Sequence, residues 1–224
     1  MGADRIADLR RRFEAVARPD DARHMERYMK DRYAFYGLKK PLRQQLWREH
    51  VAAYPLPKSE EDLLDLAVAL YDEDYRELHY AALDTLQARR RYLTAAALPI
   101  LAQLITTHAW WDTVDWLAIR LVGDVLRRYP EERHRLPDTW VTHDNMWLRR
   151  TAILYQLKYK HETSTEQLYR YCELECGSQE FFIQKAMGWA LREYAKTDPD
   201  SVVQFVESTD LPKLTVREAL RRLK

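Results

Sequence analysis

The chain has 224 residues, 46% hydrophobic and 32% charged, a composition that predicts one folded domain over residues 1–224 and excludes disorder as the main state. Lysine plus arginine (36) nearly equals aspartate plus glutamate (35), so any nucleic-acid binding must come from a local arrangement of charge. No apolar run approaches the ~20 residues of a membrane span and the N-terminus lacks the apolar core of a signal peptide, so we expect a cytoplasmic protein.

Apolar residues recur at spacings of three and four along every long segment, and no alternating strand pattern stands out. This predicts an all-α protein with roughly ten to twelve helices. Three segments place a hydroxyl three residues before an acid, as in a capping box at a helix start: Ser59–Asp62, Thr163–Glu166 and Thr215–Glu218. Three prolines mark further helix boundaries, because proline is tolerated in a first turn: Pro41, Pro130 and Pro199.

Four segments, HYAALDTL, DWLAIRLVG, RRTAILYQL and QKAMGWAL, resemble one another and indicate an internal repeat. Their shared alanines are separated by 37, 34 and 34 residues: Ala81, Ala118, Ala152 and Ala186. Five residues beyond each alanine lies another small or apolar residue: Leu86, Gly123, Leu157 and Leu191. A period in the thirties predicts a curved α-solenoid with a long concave surface. The tetratricopeptide signature is missing, so HEAT-like repeats are the better assignment.

Most familiar catalytic motifs are missing from the sequence. The five glycines stand too far apart for a phosphate-binding loop, and the seven histidines form no HExxH pair. No serine lies in a G-x-S-x-G elbow. Cys172 and Cys176 lie four apart on a predicted helix without a histidine pair to complete a zinc site, so we expect them to be packing residues. We therefore expect neither a nucleotide cofactor nor a metal.

The stretch HAWWDTVDW, residues 108–116, concentrates tryptophans and acids in two turns. A helix starting near Trp110 has an inward stripe with four-three-four spacing: Trp110, Val114, Leu117 and Leu121. Trp111 and Asp115 stack on the adjoining face, with an aromatic surface beside a carboxylate. The alternative is that Trp111 packs against the neighbouring repeat while Asp115 caps or pairs on the surface.

The segment NMWLRRTAILYQLKYK predicts a helix that buries one face and places two cations on another. Its apolar face is Leu148, Ala152, Tyr155 and Tyr159. Arg150, Leu154 and Lys158 recur at intervals of four and are expected to face a groove. Solvated surface charge is the alternative interpretation of this line.

The segment FFIQKAMGWALREYAK satisfies its core without its tryptophan. The apolar stripe is Ile183, Met187, Ala190 and Tyr194. Another face carries three cations around one large ring, a pattern suited to a phosphate backbone and a base: Lys185, Trp189, Arg192 and Lys196. Core packing of Trp189 is the alternative. The three helices occupy equivalent positions in successive repeats, so a solenoid would bring these faces onto one concave strip.

From about MERYMK to the C-terminus, the chain resembles the AlkD-like DNA alkylation repair glycosylases, most specifically in WWDTVD, LRRTAILYQLKYK and FFIQKAMGWALREYAKT. The resemblance implies a HEAT-like protein that removes N3- and N7-alkylated purines from duplex DNA in base excision repair, without a cofactor. It further implies that Trp111, Asp115 and Trp189 face the lesion. The backbone contacts that it implies are Arg150, Lys158 and Arg192, with Tyr28 and the Gly37 turn on the N-terminal side.

One departure from the family lies in that turn, where Lys39 stands in place of a glutamine and adds a cation to the expected opposite-strand contact. We include Lys39, Lys185 and Lys196 among the predicted DNA-binding residues. We expect a monomer that is associated with the nucleoid through its DNA substrate.

The implied chemistry accounts for a single catalytic carboxylate. An N3- or N7-alkylpurine already carries a positive charge and leaves as a neutral base without a general acid. Asp115 then stabilises an oxocarbenium-like sugar and positions water. Two other hypotheses stay open. A catalytically silent DNA-binding protein would keep the cations without needing Asp115, and a peptide-binding scaffold would not need the cationic face around Trp189.

Overall fold

The computed structural model describes residues 2–221, and the described chain confirms the all-α class. The helices of its first half are α1 (Gly2–Glu14), α2 (Pro19–Tyr28), α3 (Lys40–Ala53), α4 (Glu60–Tyr71), α5 (Arg76–Ala88) and α6 (Leu98–Thr106). Those of its second half are α7 (Trp111–Leu117), α8 (Gly123–Arg128), α9 (Pro130–Val141), α10 (Met146–Leu154), α11 (Thr165–Leu174), α12 (Phe181–Tyr194), α13 (Pro199–Ser208) and α14 (Lys213–Ala219). A π-helical turn, Ala118–Val122, joins α7 to α8 without a break.

The chain forms two compact units, Met1–Ile100 and Leu101–Lys224. The first unit contains α1 to α5, and its core includes Leu9, Phe13 and Leu63. The second contains α7 to α14, with Leu117, Ile153 and Leu191 in its core. The single domain and the solenoid of HEAT-like repeats remain predictions. Within the described part of the chain, no helix is long and apolar enough to cross a membrane.

Local sequence signals account for several helix starts. Ser59 accepts a hydrogen bond from the backbone N–H of Asp62 at 3.1 Å, which confirms the predicted helix start with Ser59 as the N-cap of α4. The second prediction placed the helix start one residue too early, at Thr163. The N-cap of α11 is Ser164, which accepts a hydrogen bond from the backbone N–H of Gln167. Pro41, Pro130 and Pro199 all lie in first turns, as predicted.

The third capping-box prediction was wrong. Helix α14 begins at Lys213, so Thr215 lies inside the helix rather than at its N-cap. The Thr215 hydroxyl donates instead to the carbonyl oxygen of Gln184 in α12, at 3.1 Å. The hydroxyl and the acid of this segment therefore serve the packing of two helices and not a helix start.

The repeat alignment identified core positions. All four aligned alanines are fully buried: Ala81, Ala118, Ala152 and Ala186. The four residues that follow at a distance of five are buried too: Leu86, Gly123, Leu157 and Leu191. At one of these positions the neighbouring backbone lies too close for any side chain. At Gly123 a Cβ atom would lie 2.3 Å from the carbonyl oxygen of Tyr155.

Candidate active site

Helix α7, which carries Asp115, continues directly into a π-helical turn. Residues Ala118–Val122 form a π-helical turn, and π-turns inside helices occur often at functional sites. Gly123 follows and lies against the backbone of Tyr155, just past the end of α10, and the Tyr159 hydroxyl donates to the Gly123 carbonyl oxygen at 2.6 Å. Helix α10 also packs against α7. The π-helical turn packs against α10 too, and Arg150 in the middle of α10 lies beside Asp115.

Arg150 of α10 binds Asp115 of α7 through both carboxylate oxygens. Its Nε donates to Oδ1 at 2.7 Å and its Nη2 donates to Oδ2 at 2.8 Å. Its Nη1 donates to the backbone carbonyl oxygen of Phe182 in α12. Three helices thus meet at one guanidinium group, and the carboxylate is fixed in position and orientation.

Burial raises the pKa of the Asp115 carboxyl above its ordinary value, whereas the hydrogen bonds and the charge of Arg150 act to lower the pKa. The nearby charge of Asp112 adds to the upward shift. Arginine stays protonated in proteins, and a carboxylate that accepts two charge-assisted hydrogen bonds is the form that this geometry serves. Each Asp115 oxygen accepts one hydrogen bond from Arg150 and keeps a further lone pair for water or substrate.

An aromatic cluster adjoins this pair. The ring of Phe182 lies 5.1 Å from the rings of both Trp110 and Trp147, and the guanidinium carbon of Arg150 lies 5.8 Å from the Phe182 ring centroid. Trp110 was predicted inside the core stripe of a helix. It is instead the extended N-cap of α7 and only half-buried, because the helix begins one residue later. The other three stripe residues are fully buried: Val114, Leu117 and Leu121.

The two predicted lesion-facing tryptophans are both half-buried in the second unit. Trp111 is the first residue of α7, one turn before Asp115, as the spacing predicted. Trp189 lies on α12 seven residues after Phe182, a rise of about 10 Å along the helix. The roles of Trp111, Asp115 and Trp189 towards a lesion remain predictions.

The predicted line of Arg150, Leu154 and Lys158 does not form one exposed face. Helix α10 ends at Leu154, and Arg150 and Leu154 are both buried because α9 and α12 cover the helix. Lys158 lies beyond the helix end and is exposed. The interpretation of Arg150 as a solvent-facing cation is therefore wrong. Its direct contact with a phosphate is an untested prediction.

Lys158 and Lys196 share one acid that the sequence analysis did not single out. Glu193 of α12 binds Lys158 through Oε1, with a distance of 3.0 Å, and binds Lys196 through Oε2. Desolvation raises the pKa of Glu193, but the two lysines outweigh that effect and lower the pKa below its ordinary value. Both lysine side chains stay about half exposed or more, at 62% and 48%.

Lys185 and Arg192 share a second acid. Glu218 of α14 lies 2.8 Å from the Lys185 Nζ through Oε1 and 2.7 Å from the Arg192 Nη1 through Oε2. Hydrogen bonds from Lys185 and Arg192 lower the pKa of Glu218 to about 2. The predicted face of three cations around Trp189 is therefore an ion-pair network with two carboxylates in it. Neither acid is part of the four-three-four spacing from which this face was predicted.

The remaining two predicted contacts lie in the first unit. Tyr28 ends α2 with an exposed side chain, and Lys39 is the N-cap of α3 with its Nζ 3.2 Å from Asp21. Gly37 has φ of 83°, and a Cβ there would lie 2.2 Å from the Arg18 carbonyl oxygen, so this turn requires glycine. The buried carboxylate of Glu77 accepts the backbone N–H groups of residues 36–38 and fixes the turn.

Among the residues that the structure describes, no group of three or more His, Cys, Asp or Glu side chains is arranged to hold a metal ion. Cys172 is buried in α11, as expected of a packing residue, and burial raises the pKa of its thiol. Cys176 lies past the end of α11 at Leu174 and is partly exposed, so the two thiols do not share one helix.

Comparison with known proteins gives a consistent family. The model of the DNA alkylation repair enzyme family matches residues 9–223. A predicted DNA alkylation repair enzyme from Enterococcus faecalis superposes with a TM-score of 0.85 at 30% identity, covering 92% of this chain and 96% of that one. The structure of smu.31 from Streptococcus mutans UA159, at 16% identity, shares the fold with a TM-score of 0.62 and coverage of 82% and 94%. The search of curated proteins found no significant match.

Proposed function

Because the chain belongs to the DNA alkylation repair enzyme family, we propose that it is a monofunctional DNA glycosylase. It hydrolyses the N-glycosidic bond of cationic N3- and N7-alkylated purines, such as 3-methyladenine and 7-methylguanine, in duplex DNA. The observation that carries this proposal is the Asp115 carboxylate held through both oxygens by Arg150. A fixed, ionised carboxylate is the group that an oxocarbenium-like sugar requires.

Asp115 acts as the catalytic residue through charge and position. Its free lone pairs stabilise the positive charge that develops on the sugar and orient the attacking water. Arg150 reduces the net charge of the site but keeps the carboxylate ionised and removes its rotational freedom. Fixed geometry is itself a rate factor, since the reacting groups lose no further entropy on reaching the transition state.

The half-buried rings of Trp111 and Trp189 supply apolar walls and π faces to the cationic nucleotide. Such cation–π contacts contribute roughly 0.5–2 kcal/mol each, and more when water is excluded. A charged purine leaves as a neutral base, so the reaction needs no proton donor. A neutral purine gains no such help and is a poor substrate.

We assign the binding of the duplex to cations on and just after α12, together with Lys158, which follows α10. Lys158, Lys185, Arg192 and Lys196 carry four positive charges against the two negative charges of Glu193 and Glu218, so this group of six side chains has a net positive charge. Contacts of this kind fix the register of a protein on DNA without reading sequence. Tyr28 and Lys39 are proposed to contact the duplex from the first unit.

The test is the release of free base from a duplex that contains one N7-methylguanine, with and without a chelator and without added nucleotide. We expect release in every case and an abasic strand as the other product, because the leaving group is already activated. A protein that binds this duplex but releases no base would be a DNA-binding protein of the family rather than a glycosylase. A strict metal requirement would contradict the proposed chemistry.

A further inference from the structure

Glu218 occupies an unusual place for an acid on a surface that is proposed to bind DNA. It lies on α14, its side chain is only 9% exposed, and each of its carboxylate oxygens binds a different cation of α12. The cations are Lys185 and Arg192, which lie four residues before and three residues after Trp189. One carboxylate therefore links the two cations on either side of that ring.

The packing of the two helices is built around this acid. Gly188 faces α14, where a Cβ atom would lie 2.5 Å from the Cβ of Glu218 and 3.0 Å from the carbonyl oxygen of Thr215. The Thr215 hydroxyl donates to the Gln184 carbonyl oxygen one turn earlier. These contacts bring the Glu218 backbone close enough for its carbonyl oxygen to accept a second hydrogen bond from Arg192, at 2.9 Å.

Both hydrogen bonds from Arg192 use the same nitrogen. Nη1 donates to Oε2 and to the backbone oxygen of Glu218, whereas Nε and Nη2 donate to no described residue. In a guanidinium group, Nε–H and Nη2–H point in the same direction and form one edge with two parallel donors. Anchoring Nη1 leaves that edge intact.

Arg150 shows what this edge binds. It uses the same two atoms, Nε and Nη2, to hold both oxygens of Asp115. Carboxylates and phosphates both accept this bidentate geometry, and the arginine then contributes orientation as well as charge. The edge of Arg192 is thus of a kind that binds an oxyanion in this same structure.

We propose that Glu218 is a positioning residue that anchors Nη1 of Arg192 and thereby presents the Nε–Nη2 edge to one phosphate of the DNA backbone beside Trp189. The proposal rests on the duplex binding of the proposed function. Lys185 holds the other oxygen of Glu218, fixes the carboxylate, and leaves the group of three side chains with a net positive charge. Glu218 itself does not touch the substrate.

The proposal and simple electrostatics predict opposite effects for Glu218→Gln. Removal of a negative charge should strengthen the attraction to DNA. In glutamine an NH2 donor replaces one of the two acceptor oxygens and faces either Lys185 or Arg192 without a hydrogen bond, so only the backbone oxygen of residue 218 is certain to keep its bond to Arg192. We expect Glu218→Gln to bind an unmodified duplex about threefold more weakly or worse, with a flatter dependence of affinity on salt because one phosphate contact is lost.

The matched control is Glu207→Gln on α13, which removes the same charge from an exposed side chain. This variant should bind the duplex as tightly as the native protein or slightly more tightly, with an unchanged salt slope. Circular dichroism and thermal unfolding of each variant establish that it is folded. A Glu218→Gln protein that binds more tightly, as its charge alone dictates, overturns the proposal.

A double-mutant cycle measures the coupling between Glu218 and Arg192, and the variant Arg192→Lys tests the arginine edge without any change at position 218. Arg192→Ala should weaken binding about tenfold in the native background but clearly less in the Glu218→Gln background, since the edge is then no longer presented. Arg192→Lys keeps the charge but lacks the Nε–Nη2 edge with its two parallel donors, so it should lose nearly as much as Arg192→Ala. Additive losses, or an Arg192→Lys variant that binds like the native protein, overturn the proposal.

The outcomes separate this role from the proposed enzyme activity. If Glu218 and Arg192 are coupled but the protein releases no N7-methylguanine, the glycosylase assignment is wrong and the positioning role stands. If the protein releases the base but shows no such coupling, only the proposed role of Glu218 is wrong.

Discussion

Arg150 donates one hydrogen bond to each carboxylate oxygen of Asp115, across 35 residues of sequence. The Arg150 side chain is 5% exposed and the Asp115 side chain 14%, so Arg150 is buried while the carboxylate keeps a small exposed area. A buried ion pair depends on both partners, because either charge alone is left without compensation.

The first prediction concerns the stability of this pair. Arg150→Met should lower the free energy of unfolding at neutral pH by about 3–5 kcal/mol, because it leaves the Asp115 carboxylate buried without its partner. Adding Asp115→Asn to that variant should recover part of the loss, since the second change removes the unpaired charge. Urea unfolding of the native protein, both single variants and the double variant measures this coupling. Strictly additive losses would show that the pair contributes no interaction of its own.

A second prediction follows from the low pKa of Glu218. Its pKa falls from the ordinary value of 4.5 to about 2 in the folded protein, so the ionised form is favoured by folding. The stabilisation that it provides is complete above its ordinary pKa and is lost as the pH falls towards the folded pKa. The stability difference between the native protein and Glu218→Gln should therefore be largest at neutral pH and shrink on acidification. A difference that stays constant with pH would contradict this assignment.

Gly123 provides a test of the close approach between the start of α8 and the backbone of Tyr155, just past the end of α10. Gly123→Ala places a methyl group 2.3 Å from the Tyr155 carbonyl oxygen, a backbone atom that cannot rotate away. We expect a loss of about 1–3 kcal/mol in the free energy of unfolding, as is typical of overpacking. The control is Gly177→Ala, where no atom lies within 4 Å and the effect should stay within about 0.5 kcal/mol. Equal effects at the two glycines would argue against the packing constraint.

Lys158 tests the proposed backbone contacts without touching the Glu218 network. Lys158→Ala should weaken binding to every duplex and lower the slope of log affinity against log salt by about 0.9. Lys58→Ala removes the same charge from an exposed position between α3 and α4 and should leave the slope nearly unchanged. If the two variants behave alike, Lys158 does not contact a phosphate.

Helix periodicity and the repeat alignment were enough to predict the helical class and the buried faces, as the aligned alanines show. They could not predict ion-pair partners, since Glu193 and Glu218 join cations between 3 and 35 residues away along the chain. The same limit explains why Thr215 looked like a helix cap, although its hydroxyl binds α12. Arg150 looked like a surface cation because its spacing matched Lys158, whereas α10 ends before Lys158 and is covered at Arg150.

The most direct measurement for the proposed mechanism is the single-turnover release of N7-methylguanine from duplex DNA by the native protein and by Asp115→Asn, with a duplex carrying the neutral lesion 1,N6-ethenoadenine as the comparison. Asparagine keeps the shape of the side chain but removes the charge, so we expect release to slow by about tenfold or more while duplex binding is retained. The native protein should release the neutral base poorly, because no proton donor is part of the mechanism. An Asp115→Asn protein as fast as the native one, or efficient native release of the neutral base, would contradict the role of Asp115.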